Sequence, residues 1–131
     1  MADTNNALKA QNFTNHANIL KSDLSKVNSK IELLESAKRK LKSEIENYSY
    51  FQKLVYSKPS NISETVFRGS NRKKFMDKMK KVNEKIKSNL NHHNENLGEI
   101  NAKLVSLNVE ASSLQGSIAD CLSSASSLLN S

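Results

Sequence analysis

Thirteen positions between Phe13 and Val55 recur at alternating steps of four and three residues without a slip. They are Phe13, Ala17, Leu20, Leu24, Val27, Ile31, Leu34, Lys38, Leu41, Ile45, Tyr48, Gln52 and Val55, and only Lys38 and Gln52 are polar. A side chain returns to the same helix face every 3.6 residues. A 3–4 alternation held over six heptads is therefore the mark of a long helix with one apolar seam, of coiled-coil type. A strand would alternate every two residues and would turn this set to both faces. The pattern thus commits the first arm, about residues 13–56, to helix.

A second, patchier apolar set flanks the seam: Ile19, Leu33, Ala37, Tyr50, Phe51 and Leu54. It widens the stripe beyond what a single partner helix covers. A helix of roughly 40 residues is about 60 Å long and cannot bury such a stripe against itself. Residues 1–12 are Asn-rich and weakly patterned, and they are read as a frayed N-terminus.

The second arm, about residues 71–129, carries its own seam. It runs Phe75, Met79, Val82, Ile86, Leu90, His93, Leu97, Ile100, Leu104, Leu107, Ala111, Leu114, Ile118, Cys121, Ala125, Leu128. The steps Val82–Ile86–Leu90 are four and four, a stutter that locally unwinds a left-handed supercoil. It leads into an Asn-rich stretch and Gly98, residues of low helix propensity. A bend or hinge is expected near residues 89–98, with continuous helix as the alternative. Beyond Val109 lysine disappears and serine dominates around a leucine seam, which suits close approach of other helices.

Between the arms, Pro59 is expected to end the first helix, with a loop over Tyr56–Asn61. Ser63 or Thr65 can cap a short turn, and Ser70 or Asn71 the next helix. Gly69 can take a left-handed turn conformation. The fold class expected is all-α: an elongated, antiparallel two-helix hairpin, coiled-coil-like, forming a single domain over residues 13–131.

Composition narrows the function. Four Phe, three Tyr and no Trp give little aromatic bulk for a compact core. No run of about eighteen apolar residues is long enough to span a membrane, and the N-terminus lacks the pattern of a Sec signal peptide. Cys121 is the single cysteine, so no intrachain disulfide forms; it is read as a small buried hydrophobe. No nucleophile–base arrangement and no glycine-rich phosphate loop is present, so neither an enzyme nor a cofactor is expected. His92, His93 and Glu95 lack a ligand partner one helical turn on, so no metal is expected either.

Charge is uneven. Residues 1–67 carry a net +3, residues 68–87 +7 and residues 88–131 −3. The basic run is mostly lysine with no interleaved aromatics, so a solvated face or one meeting an acidic partner is favoured over nucleic acid.

The layout resembles the Trp-x-Gly helical-hairpin superfamily of type VII secretion, and most closely the YwqH-like small helical partners of LXG-domain toxins. The resemblance is carried by LLESAKRKL at Leu33–Leu41, by the turn motif Phe67-Arg68-Gly69 after Val66, and by Lys74-Phe75. Phe67 stands where the superfamily has tryptophan. The C-terminal export patterns of the superfamily are absent, which implies that a second small helical protein carries the signal.

The resemblance further implies a non-enzymatic adaptor or targeting chaperone. It would bind the N-terminal helical LXG region of a toxin in a hetero-oligomer, in the bacterial cytoplasm or exported with that toxin. The seam and partner contacts together are assigned to Leu24, Ile31, Leu34, Leu41, Ile45, Phe75, Leu104, Leu107, Leu114, Ile118 and Leu128. A prefoldin-like holdase and a basic coiled coil associating with nucleic acid are the alternatives.

Overall fold

A computed structural model describes residues 4–61 and 69–130, with side chains over 4–54 and 71–130. Helix α1 covers Thr4–Asn61 and helix α2 covers Gly69–Leu129. The two pack against each other and no strand occurs among the described residues, so the all-α helical-hairpin class is the one adopted.

The heptad pattern explains where each helix turns its buried side. Of the α1 seam, Ala17 and Val27 are buried, and Leu20, Leu24, Ile31, Leu34, Lys38, Leu41, Ile45, Tyr48 and Gln52 are half-buried. Of the α2 seam, every member is buried or half-buried except Val82. Between seam positions the chain is largely exposed, as a helix with one packed edge requires. Serine and threonine off the seam are kept from competing with the helix by bonding within it. Thr14 Oγ1 donates to the Ala10 carbonyl at 3.0 Å and Ser29 Oγ to that of Ser25 at 3.1 Å.

Four sequence expectations shift. The N-terminus is helical from Thr4, with Ala10 buried and Asn6 half-buried. Asn6 and Ala10 continue the 4–3 steps backward from Phe13. Phe13 itself is exposed, in a surface depression with Lys9, Asn12 and His16. Its neighbours on the seam, Ala10 and Ala17, are small and buried. At the other end, α1 continues through Pro59 to Asn61, so the expected loop over Tyr56–Asn61 is helix. Proline's fixed φ is compatible with helix, and in the last turn it forfeits a single donor. Gly69 is the first residue of α2 rather than a left-handed turn residue. Phe67 and Arg68, with Ser63 and Thr65, lie outside the described residues.

The hinge is the fourth. α2 passes through residues 89–98 as unbroken helix. Leu90, His93, Leu97 and Ile100 stay half-buried in phase, and the Tyr48 ring packs on His93 at 5.3 Å between centroids, tilted by 44°. These contacts outweigh the propensity cost of asparagine and glycine, about 0.5–1 kcal/mol at most per residue. The stutter also moves. Asn83 is half-buried while Val82 is 39% exposed, so the four–four step is Phe75–Met79–Asn83, one heptad earlier.

The contacts divide the chain into two units. The first comprises residues 1–36 with 102–131. Its core is Val27, Leu107 and Ala111, against which Leu24, Ile31, Leu34 and Leu114 pack, with Leu104, Ile118, Cys121 and Ala125 buried further along the same seam. The second unit is residues 37–101. There Ala37, Leu41 and Glu44 lie beside Asn96 and Ile100, and Tyr48 lies beside His93. Moving up α1 moves down α2, so the pairing is antiparallel.

Candidate partner-docking surfaces

Of the eleven residues assigned from sequence to seam and partner contact together, seven are buried in the first unit or pack on its core. Leu24, Ile31, Leu34 and Leu114 pack on the first unit's core, which Leu107 belongs to. Leu104 and Ile118 are buried and Leu128 is half-buried in that unit. Leu41, Ile45 and Phe75 are half-buried in the second unit. Exposed surface open to another molecule also lies outside these eleven.

In the first unit that surface is one flank of α2. Heptad lettering with Leu104, Ala111, Ile118 and Ala125 at a, and Leu107, Leu114, Cys121 and Leu128 at d, makes the geometry explicit. Positions e and b flank a; positions c and g flank d; f is farthest from the seam. Between residues 101 and 130 the only charged residues are Lys103, Glu110 and Asp120, and all three fall at g or c. The e, b and f positions carry no charge over eight helical turns. They hold Val105 and Val109, each 65% exposed, together with exposed Leu122 and Leu129. Between these sit small residues such as Ser112, Gly116 and Ala119. A β-carbon added at Gly116 would meet nothing within 4 Å, so the face is open. An uncharged, aliphatic, small-residue flank resembles the buried side of a helix rather than its solvated side.

In the sequence this stretch is suited to helix packing, but the seam marks none of its exposed residues. They lie off the 3–4 seam, and their signal is the one-sided placement of charge rather than apolar spacing.

The second unit has a different character. Residues 37–101 contain 15 Lys and Arg against 7 Asp and Glu, a net +8. Residues 1–36 with 102–131 contain 5 against 6, a net −1. The basic excess therefore belongs to one unit. In it the g and c positions of both helices share one flank. Ala37, Lys40 and Glu44 of α1 and Asn96 and Glu99 of α2 line one depression beside Leu41 and Ile100. Farther along α1 on that flank, Asn47, Tyr48 and Phe51 line another. Tyr50, Phe51 and Leu54 are exposed there, and so is Val82 at the g position of α2.

Three of the six residues in the flanking set noted from sequence are thus these exposed ones, and Ala37 lines the neighbouring depression. His92 and Glu95 are both exposed, 3.7 Å apart as an i,i+3 pair. Among the described residues no three His, Cys, Asp or Glu side chains come together as a metal site. Cys121 is buried with its thiol free. No helix among the described residues is long and apolar enough to cross a membrane.

No protein-family model matches the chain, and neither a curated protein nor a solved structure matches it. Fold and surface define a pair of long antiparallel helices, with an uncharged flank in the first unit and a basic excess in the second.

Proposed function

We propose that this chain is a non-enzymatic helical adaptor or targeting chaperone. Its client is the N-terminal helical LXG region of a type VII secretion toxin, which it helps present for export together with a second small helical protein. The observation that carries the reading is the uncharged flank of α2, where Val105, Val109, Leu122 and Leu129 lie exposed with no charge at any e, b or f position. Exposed aliphatic surface arranged along a helix is covered most economically by another helix laid beside it. The resemblance of Leu33–Leu41, Phe67-Arg68-Gly69 and Lys74-Phe75 to the YwqH-like partners supplies the kind of helix.

The test is co-expression with the helical LXG regions encoded in the same genome, followed by co-purification and size-exclusion chromatography. A stable complex is expected, and Val105→Asp with Leu122→Asp should abolish it while leaving the circular dichroism melt of the free chain unchanged. Failure of every LXG region to co-purify, with the chain folded, refutes the assignment.

A further inference from the structure

The acid-free part of the second unit's flank carries an inference of its own. The Tyr48–His93 contact sets the antiparallel register, so seven residues forward on α1 corresponds to seven residues back on α2. Phe51 and Leu54, at g and c, therefore run beside residues 87–90 of α2, with Val82 following at the next g position. Phe51 is 49% exposed and Leu54 and Val82 are each 39% exposed.

The charges around them are all of one sign. On the outward side of α2 over residues 78–89, positions c, g and f hold Lys78, Lys81, Val82, Lys85, Ser88 and Asn89. The one carboxylate of that stretch, Glu84, and Asp77 just before it are both at b, on the opposite flank. On α1, positions c, g and f over residues 47–54 hold Asn47, Tyr50, Phe51 and Leu54, with no charge. The concave places on this flank, at Ala37–Glu44 beside Asn96–Ile100 and at Asn47–Phe51, form a line along the helix pair.

We propose that this flank of the second unit binds an acidic amphipathic helix, whose apolar stripe seats against Phe51, Leu54 and Val82 and whose carboxylates meet Lys81 and Lys85. Three physical arguments choose this occupant. The depressions in line beside and including Phe51 match the convex side of a third helix and not the plane of a bilayer. Leu54 and Val82 offer nothing to a phosphate or a base edge, and the exposed rings of Tyr50 and Phe51 sit on α1 without interleaving the lysines of α2, which counts against nucleic acid. The lysines, with no carboxylate at c, g or f over residues 78–89 or 47–54, select a negatively charged partner there and disfavour a positive one. The inference deepens the adaptor reading and rests on it only in taking the occupant to be a helix. It specifies a second contact, in a different unit from the uncharged flank, and the chemistry of what fills it.

The experiment uses the full chain and a labelled synthetic helix of about 21 residues, three heptads, with leucine at a and d and glutamate on the flanks. Its comparison probes are the same helix with lysine for glutamate, phosphatidylserine vesicles and a single-stranded oligonucleotide. The acidic helix should bind at least about tenfold more tightly than its lysine twin, a difference of about 1.4 kcal/mol. Phe51→Ala with Val82→Ala should weaken it several-fold. Lys81→Glu with Lys85→Glu should reverse the preference between the twins, a gain that a merely misfolded variant would not show.

Equal binding of the two helices, indifference to these four positions, or capture of vesicles or oligonucleotide by the same residues in place of the acidic helix overturns the proposal. Val105→Asp with Leu122→Asp should leave acidic-helix binding unchanged. Loss of LXG capture with acidic-helix binding intact would reject the adaptor reading alone. The opposite result would reject this groove alone.

Discussion

Asn83 is the residue at which local chemistry and helix phase disagree. It takes a seam position on α2, and its side-chain Oδ1 is buried without a hydrogen-bond partner. A buried carbonyl oxygen left unpaired costs about 1–3 kcal/mol. Asn83→Leu is therefore expected to stabilise the chain by about 1 kcal/mol, read as a higher urea midpoint at unchanged slope. Val82→Asn, one residue away and off the seam, should stay within about 0.5 kcal/mol of the parent. The pair of variants tests the position of the stutter directly, because a seam running through Val82 predicts the reverse order. Leu107, buried beside Val27 and Ala111, marks the other extreme. Leu107→Ala removes core volume that long helices cannot collapse to refill, at a cost of about 2–5 kcal/mol.

At the scale of the element, continuity is the notable property of α2. Gly98 and Gly116 are both helical, and a β-carbon at either would meet nothing within 4 Å. Each is thus a pure cost in backbone entropy. Gly98→Ala and Gly116→Ala should each raise stability by about 0.5–1 kcal/mol, and their effects should add because they are far apart in sequence with no shared contact. For Gly116→Ala a second readout matters. The residue lies on the uncharged flank, so a methyl group there should weaken a close-packed helix partner even as it stabilises the free chain. Amide hydrogen exchange supplies the test of continuity itself. Protection across residues 89–98 is expected to match that of the turns on either side, whereas a hinge would show as a window of fast exchange.

For the molecule as a whole, the formal charge of +7 divides into −1 and +8 for the two units. A single figure would suggest a generally basic protein. The division instead separates two modes of binding by their response to salt. Capture through Val105, Val109 and Leu122 should change little between about 50 mM and about 500 mM salt, since apolar contact is not screened. Binding of an acidic helix beside Lys81 and Lys85 should weaken steadily over that range, because exposed charge pairs lose their attraction as the Debye length shortens. One titration series at several salt concentrations, with each docking flank disabled in turn, reads both.

Much of this protein is written in the chain. A 3–4 alternation from Phe13 to Val55 fixes helix and buried edge together, because only a 3.6-residue repeat keeps such a set on one side. The same logic placed Ile86, Leu104, Leu107, Ala111, Ile118 and Cys121 on the buried edge of α2, where they are found. Sequence rules of propensity were weaker guides. Pro59, Gly98 and the asparagines around His93 each argue for a break, yet helix runs through all of them, and over residues 89–98 the packing of neighbouring seam residues holds it. Packing also decided the phase at Val82 and Asn83, where two residues compete for one seam position and only the partner helix can choose.

The candidate surfaces were the least legible. Val105, Phe51 and Val82 are ordinary apolar residues in the sequence, and what distinguishes them is being left outside the seam. The chain by itself determined that two helices form and which edge each one buries, because that follows from periodicity along a single strand of residues. Only the tertiary structure decided which apolar side chains remained uncovered and which charges stood beside them. Exposure is a property of the pair of helices in register, and no one helix encodes it.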